Sequence, residues 1–329
     1  MKPPRRLTPS ALPFLALLPL ASPALAEEVE ALVREGDSFP GVPGTVESID
    51  SIAVSESGWL VEVYTTANES LLIGPSGVVS RQGDALPSPP GSSVGTWDSV
   101  RLNNNGDRSH NILISGTESV VYWNNVFQIA HGDFGPVPPF SPNSPFIDFR
   151  EAWVNDANQL LVQGSLNDPA LGTTTFDEFV LIRNLNAAGG LLSQDVVAKV
   201  GDQLPGMGPI EKVRGVHANG NNQIAFNNAG DVMYGVLISG VLFPNIDDAY
   251  YINSDTLIAR EGTVEPLTGR TWKTLEDSVA LNDVGGFAYR GRLDAPGSGD
   301  WIVIKNNAQI LGQEGGTIPA IAPFTFGEF

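Results

Sequence analysis

The sequence predicts an all-β fold, a β-propeller-like array of about five four-stranded antiparallel units with parts of a sixth. Three observations predict it. A turn recurs as Arg34-Glu35-Gly36-Asp37, Arg81-Gln82-Gly83-Asp84, His131-Gly132-Asp133 and Val200-Gly201-Asp202, and without Asp as Arg260-Glu261-Gly262-Thr263 and Gln313-Glu314-Gly315-Gly316. Its glycines fall 47 to 69 residues apart, the length of a four-stranded unit that cannot bury its apolar face alone. A short apolar hairpin precedes each turn, and a strand ending in Asn-x-x-Gly follows it, with no useful run of helical periodicity between.

The hairpins come first in the argument. Val120–Trp123 and Val126–Ile129 flank Asn124-Asn125; Leu71–Ile73 and Val78-Val79 flank Gly74–Gly77; Tyr250–Ile252 and Thr256–Ile258 flank Asn253–Asp255; Trp301–Ile304 and Ala308–Ile310 flank Lys305–Asn307. Asn and Gly accept positive φ, which tight hairpin loops require. Phe179–Ile182 and Asp195–Val197 supply the remaining hairpin around a longer loop. After each turn, Asp50–Gly58, Asp98–Gly106 and Asp277–Gly285 are nearly superposable, while Asp148 to Asn158 and Gly215 to Asn222 are looser copies. Strands then follow at Trp59–Tyr64, Ile112–Ile114, Leu160–Gln163, Gln223–Phe226 and Phe287–Arg290. Phe226–Tyr234 reads as a second copy of the turn, an added hairpin in the fourth unit. Val29–Val33 gives a last strand with nothing before it and Ile318–Phe329 a first strand with nothing after it. Either the array has five units with loose ends or the chain is cut short within a sixth, and the second is the preferred reading.

Met1–Ala26 has a basic start, an apolar stretch and Ala24-Leu25-Ala26 ahead of Glu27-Glu28, which reads as a secretory signal peptide; residues 27–329 form a single repeat domain. No later stretch is apolar enough to span a bilayer, so export places the mature chain in the periplasm, outside the cell or at its surface. Without Lys2, Arg5 and Arg6 the 18 basic residues fall to 15 against 37 acidic ones, a net charge of −22. Such a surface disfavours nucleic acid and anionic lipid. With no cysteine, thiol nucleophiles, iron–sulfur clusters and Cys-based zinc sites are excluded.

The Asn-x-x-Gly motif followed by an Ala-aromatic pair resembles the tandem repeat of bacterial exported proteins named for their NxxGxxAF repeats, which end in varied surface anchors. Asn282–Tyr289 is the nearest copy and Asn219–Phe226 the next; Ser55, Trp59-Leu60, Asp107-Arg108 and Gln159-Leu160 depart from the pattern. The resemblance implies an exported repeat protein with no assigned catalytic site. The anchor such proteins carry is not visible in the sequence, in keeping with the short C-terminus.

Asp50, Asp98 and Asp277 recur at one position of the candidate inner strand. Equivalent positions around an axis could gather carboxylates for Ca²⁺, and the other reading is that each accepts hydrogen bonds from its own turn. Asp37, Asp84, Asp133 and Asp202 read as Asx turns. His110, His131 and His217 show no metal-ligand spacing, and no nucleophile elbow or phosphate-binding loop is present, so no catalytic residue is assigned. Trp59, Trp97, Trp123, Trp153, Trp272 and Trp301 read as packing between units. The function expected is a binding or structural module for a protein or glycan ligand. The alternative is a secreted carbohydrate-active propeller enzyme with axial carboxylates as acid and base.

Overall fold

The computed structural model describes residues 32–114, 118–171, 177–205, 207–214, 223–238, 248–275, 278–294 and 300–316. The chain divides into Met1–Val33 and Arg34–Phe329, and everything below concerns the second unit. Among the described residues it contains five antiparallel sheets. The first runs β1 (Val46–Ser55), β2 (Gly58–Thr65), β3 (Ser70–Gly74), β4 (Gly77–Arg81) in spatial as in chain order. The second is β5 (Thr96–Leu102), β6 (Arg108–Leu113), β7 (Ser119–Trp123), β8 (Val126–Ala130), and the third β9 (Phe146–Val154), β10 (Gln159–Leu166), β11 (Asp177–Leu185), β12 (Leu191–Lys199). In the fourth, β13 (Ile210–Arg214) and β14 (Ile224–Phe226) both pair with β15 (Val232–Ile238), followed by β16 (Asp248–Ile252) and β17 (Thr256–Arg260). In the fifth, β18 (Trp272–Thr274) and β19 (Val279–Leu281) share β20 (Phe287–Leu293), followed by β21 (Asp300–Lys305) and β22 (Gln309–Gln313).

Successive strand residues point to opposite faces, and here both faces are covered, so β10 carries the apolar run Leu160–Val162 and β15 is apolar from Val232 to Ile238. Leu160 and Val162 pack with Val121, Trp123 and Phe149 of the sheet before or their own sheet, whereas Leu161 joins Val213, Tyr234 and Val236 of the sheet after. Similar cores join the first sheet to the second through Leu60, Leu72, Val100 and Tyr122, and the fourth to the fifth through Met233, Tyr250, Trp272 and Tyr289. Five sheets thus share four cores. Val61, Val63, Leu71 and Ile73, on the other face of the first sheet, are also buried but belong to none of the four. Each fully buried Val or Leu contributes about 1.5–3 kcal/mol. This serial, face-to-face stacking of four-stranded meanders makes the chain an all-β, propeller-like array.

The Gly-Asp turn fastens one unit to the next. Gly83 N–H donates to Val94 O at 2.8 Å and Val94 N–H returns to Asp84 O at 2.9 Å; the Gly132/Asp133 turn does the same with Phe146, and the Gly201/Asp202 turn with Ile210. The six turn glycines have φ between 73° and 88°, and at Gly36, Gly83, Gly132 and Gly315 a Cβ would meet nothing, so the requirement is conformational rather than steric. The aspartates cap their turns as expected: Asp37, Asp84, Asp133 and Asp202 each accept the N–H three residues back at 2.8–3.0 Å. Thr263 keeps the backbone pair with Trp272, which is why the unit tolerates loss of Asp there.

Two expectations are corrected. In the fourth unit the Asn-x-x-Gly turn is Asn227–Gly230, joining β14 to β15, so Phe226–Tyr234 is the motif itself and not an added hairpin. Residues 215–222, including Asn219, lie outside the described residues. The hairpin between Phe179 and Val197 is also longer and its loop shorter than read, since β11 and β12 pair from Phe179–Lys199 to Leu185–Leu191.

Candidate functional site

The motif asparagines hold the units together. Asn103 Nδ2 donates to Asn155 O at 2.9 Å, Asn155 Nδ2 to Asn227 O at 2.9 Å, and Asn227 Nδ2 to Asn282 O at 3.0 Å. Each Oδ1 accepts the N–H four residues on, closing its own turn. The next residues form a second ladder, in which Asn104 N–H donates to Asp156 Oδ1 at 2.8 Å, Asp156 N–H to Asn228 Oδ1 at 2.7 Å, and Asn228 N–H to Asp283 Oδ1 at 2.8 Å. The first unit lacks the motif Asn, and Ser57 Oγ donates to Asn103 O instead, at 2.9 Å.

The carboxylates on the first strands gather where β1, β5 and β9 are neighbours. Asp50 and Asp98 each occupy a bulge, between Ile49 and Ser51 and between Trp97 and Ser99. Asp98 stands open to solvent, yet the protein crowded around it raises its carboxyl to about 6, with the Asp148 charge adding to the effect. Two buried glutamates that sequence reasoning passed over join this group. Burial pushes Glu62 up to about 7 against a 3.1 Å hydrogen bond from Ser51 Oγ, and the Asp50 and Asp98 charges add. Burial likewise lifts Glu151 to about 7, although Arg101 Nη2 lies 2.8 Å from its Oε2. Asp277 lies outside the described residues. Among the described residues no three His, Asp or Glu side chains are grouped to hold a metal ion.

A different feature breaks the repeat. Five and seven residues after the motif Asn, the third, fourth and fifth units carry Leu160 and Val162, Val232 and Tyr234, and Phe287 and Tyr289. All six are cluster members or pack against a cluster between sheets. The second unit has Arg108 and His110 at these positions. Between the first and second sheets a cleft of about 540 Å³ remains, lined by Trp97, Tyr122 and Leu86 with Asp84, Arg108 and His110. Burial lowers the Arg108 guanidinium from its usual range, its Nε is buried without a partner, and its Nη2 donates to Asn125 Oδ1 at 3.1 Å. His110 is 5% exposed, its Nδ1 has no partner, and burial with the Arg108 charge lowers it to about 3, so it is neutral. The Tyr122 hydroxyl ties down the loop over the cleft by donating to Ser88 O. A sequence signal existed: Arg108 and His110 stand where the third, fourth and fifth units carry apolar residues.

No family model matches the chain, and no curated protein matches it. Solved structures similar to it include the Dos1 propeller (6% identity, TM-score 0.38, 82% of this chain and 59% of that one). Others are the SREBP–SCAP binding domains of fission yeast (13%, 0.36, 88% and 64%) and the WD40 domain of fission-yeast SCAP (11%, 0.34, 90% and 55%). This chain therefore spans between 55% and 64% of the length of those structures. At TM-scores below 0.5, none of them bears on what this chain binds. No helix among the described residues is long and apolar enough to cross a membrane.

Proposed function

We propose that the chain is an exported, surface-associated propeller-like module that holds a ligand without transforming it. The observation that carries this reading is the cleft at Arg108 and His110. There the one described junction whose motif Asn is missing also replaces core residues with polar, partly unpartnered groups around a ligand-sized space. Export rests on Met1–Ala26, and N-terminal sequencing of the secreted protein should begin at Glu27. The binding reading is tested by ligand-observed NMR on the purified chain with mono- and oligosaccharides and short peptides, alongside turnover assays on the same compounds. Saturable binding that disappears when the cleft is filled supports it. A second reading, a carbohydrate-active enzyme, draws on the raised carboxyls of Glu62, Asp98 and Glu151, since an acid held protonated near neutrality can donate to a glycosidic oxygen. Hydrolysis abolished by Asp98→Asn and untouched by filling the cleft would replace the first reading with the second.

A further inference from the structure

We propose that the cleft between the first and second sheets binds a small organic molecule bearing one carboxylate, of hexuronic-acid size, with its carboxylate on Arg108 and hydroxyls on His110 and Asp84. This rests on the binding-module reading and adds the chemical class of the ligand. Arg108 is half-buried between the two sheets, with Nη2 on Asn125 Oδ1, no carboxylate at ion-pair distance among the described residues and an unpartnered Nε. A cation so placed is completed by an anion, and the planar edge of a guanidinium matches a carboxylate's two oxygens.

The charge complement selects one negative charge rather than several. His110 is neutral, so Arg108 is the cleft's single cation among its lining residues, while Asp84 and a net charge of −19 oppose a polyanion. Asp84 uses Oδ2 for Arg81 N–H at 2.8 Å and Ser80 Oγ at 3.3 Å, which leaves Oδ1 to accept a hydroxyl. His110 lines the cleft as a second polar residue, its Nδ1 buried and without a partner. Trp97 and Tyr122, both almost fully buried, form part of the apolar lining against which a sugar ring's C–H groups could pack. The volume lies within the roughly 300–1,000 Å³ usual for small-molecule sites.

The test is isothermal titration of the purified chain with glucuronate, glucose and glucose 6-phosphate, repeated with Arg108→Leu and Arg108→Gln. Leu is what the third unit carries at this position, so that variant keeps a residue the fold already accommodates, and circular dichroism verifies folding of both. The expected result is saturable glucuronate binding, weakened about 10- to 100-fold by either substitution, the loss of a charge-assisted hydrogen bond. Glucose and glucose 6-phosphate should bind at least about tenfold more weakly, in line with one lost charged contact. Glucuronate binding unchanged in both variants overturns the assignment to Arg108. Glucose binding as tightly as glucuronate, and blocked by Arg108→Leu, overturns the carboxylate class while leaving the binding module intact. Tighter binding of glucose 6-phosphate replaces the carboxylate by a phosphate. If none of the three binds and the NMR panel is also silent, both readings fall.

Discussion

Replacing Asn155 by Ala removes one rung of the asparagine ladder. Asn155 is 4% exposed and makes four hydrogen bonds through its side chain: Nδ2 to Asn227 O at 2.9 Å and Gln159 Oε1 at 2.7 Å, and Oδ1 from Ala157 N–H at 3.1 Å and Gln159 N–H at 2.9 Å. Water can replace the partner of exposed Ala157, and Asn227 O keeps the Gly230 N–H at 3.2 Å. That leaves two or three bonds lost from a largely dry junction at about 1 kcal/mol each, so the variant should be about 2–3 kcal/mol less stable. Asn282→Ala is the internal control. Its side chain is exposed, and Val284 and Gly286 N–H groups are its partners, so its loss should cost about 1 kcal/mol or less. Urea unfolding followed by tryptophan fluorescence reads both, with the slope of the transition checked for change. Equal costs for the two variants would show that the ladder is decoration on junctions held by their apolar cores alone.

Four further outcomes follow from other sites. Glu62 and Glu151 have folded pKa values raised to about 7 from 4.5, so folding favours their protonated forms. Their stabilising effect is complete below about pH 4.5 and is lost as pH rises toward 7, by up to about 3 kcal/mol each. Thermal unfolding should therefore show a melting point that falls from pH 5 to pH 8, and Glu62→Gln should flatten that fall. A chain more stable at pH 8 than at pH 5, in which Glu62→Gln makes no difference, would contradict the assignment. The double variant Arg108→Leu, His110→Val writes the third unit's residues into the second and removes a desolvated cation. Urea unfolding should show it about 1–2 kcal/mol more stable, and a loss of stability would mean the cleft is already filled by its polar groups. Arg214 lies 2.8 Å from Asp248 with both side chains largely buried, so Arg214→Met should cost about 3 kcal/mol in the same assay. Arg81→Met, at a 3.6 Å and more exposed pair with Glu69, should stay within about 1 kcal/mol.

The array was legible because its signals are local. A glycine that needs φ near +85°, an aspartate that accepts an N–H three residues back, and Asn124, Asn253 and Asn306 at φ of 53° in their hairpins all declare themselves within four residues. The ladder was half legible. The repeated asparagine is plain in the sequence, but its partner is the backbone carbonyl of the next motif Asn, 52 to 72 residues away, and no residue type marks a carbonyl. The fourth unit misled for a related reason. Asn219 and Asn227 both head a plausible turn, and only pairing of Ile224–Phe226 with Val232–Tyr234 shows which one joins the ladder. Glu62 and Glu151 escaped notice because an acidic residue within an otherwise apolar strand reads as a solvent-facing position, whereas both faces of these strands are covered. Arg108 and His110 needed only an alignment of the units, which turns a lone histidine and an ordinary arginine into a paired exception.

The place of that exception is itself an argument. In a serial array each unit contacts its neighbours, so stability is close to a sum over junctions, and one junction can be weakened while the others hold. The first junction is where the ladder changes character: Ser55 stands where the later units have Asn, the rung is supplied by Ser57 Oγ, and Glu56 N–H reaches Asn104 Oδ1 at 3.1 Å without a reciprocal carboxylate. The same junction contains the 540 Å³ cleft and the polar pair Arg108 and His110. The three later junctions combine an intact Asn rung with apolar residues at the equivalent positions. Two departures, one at the turn and one in the core, therefore coincide at one interface out of four. Arg108 is half-buried there with its Nε unpartnered, which costs stability that an apolar residue would restore. A ligand that brings an acceptor to Arg108 would offset that cost.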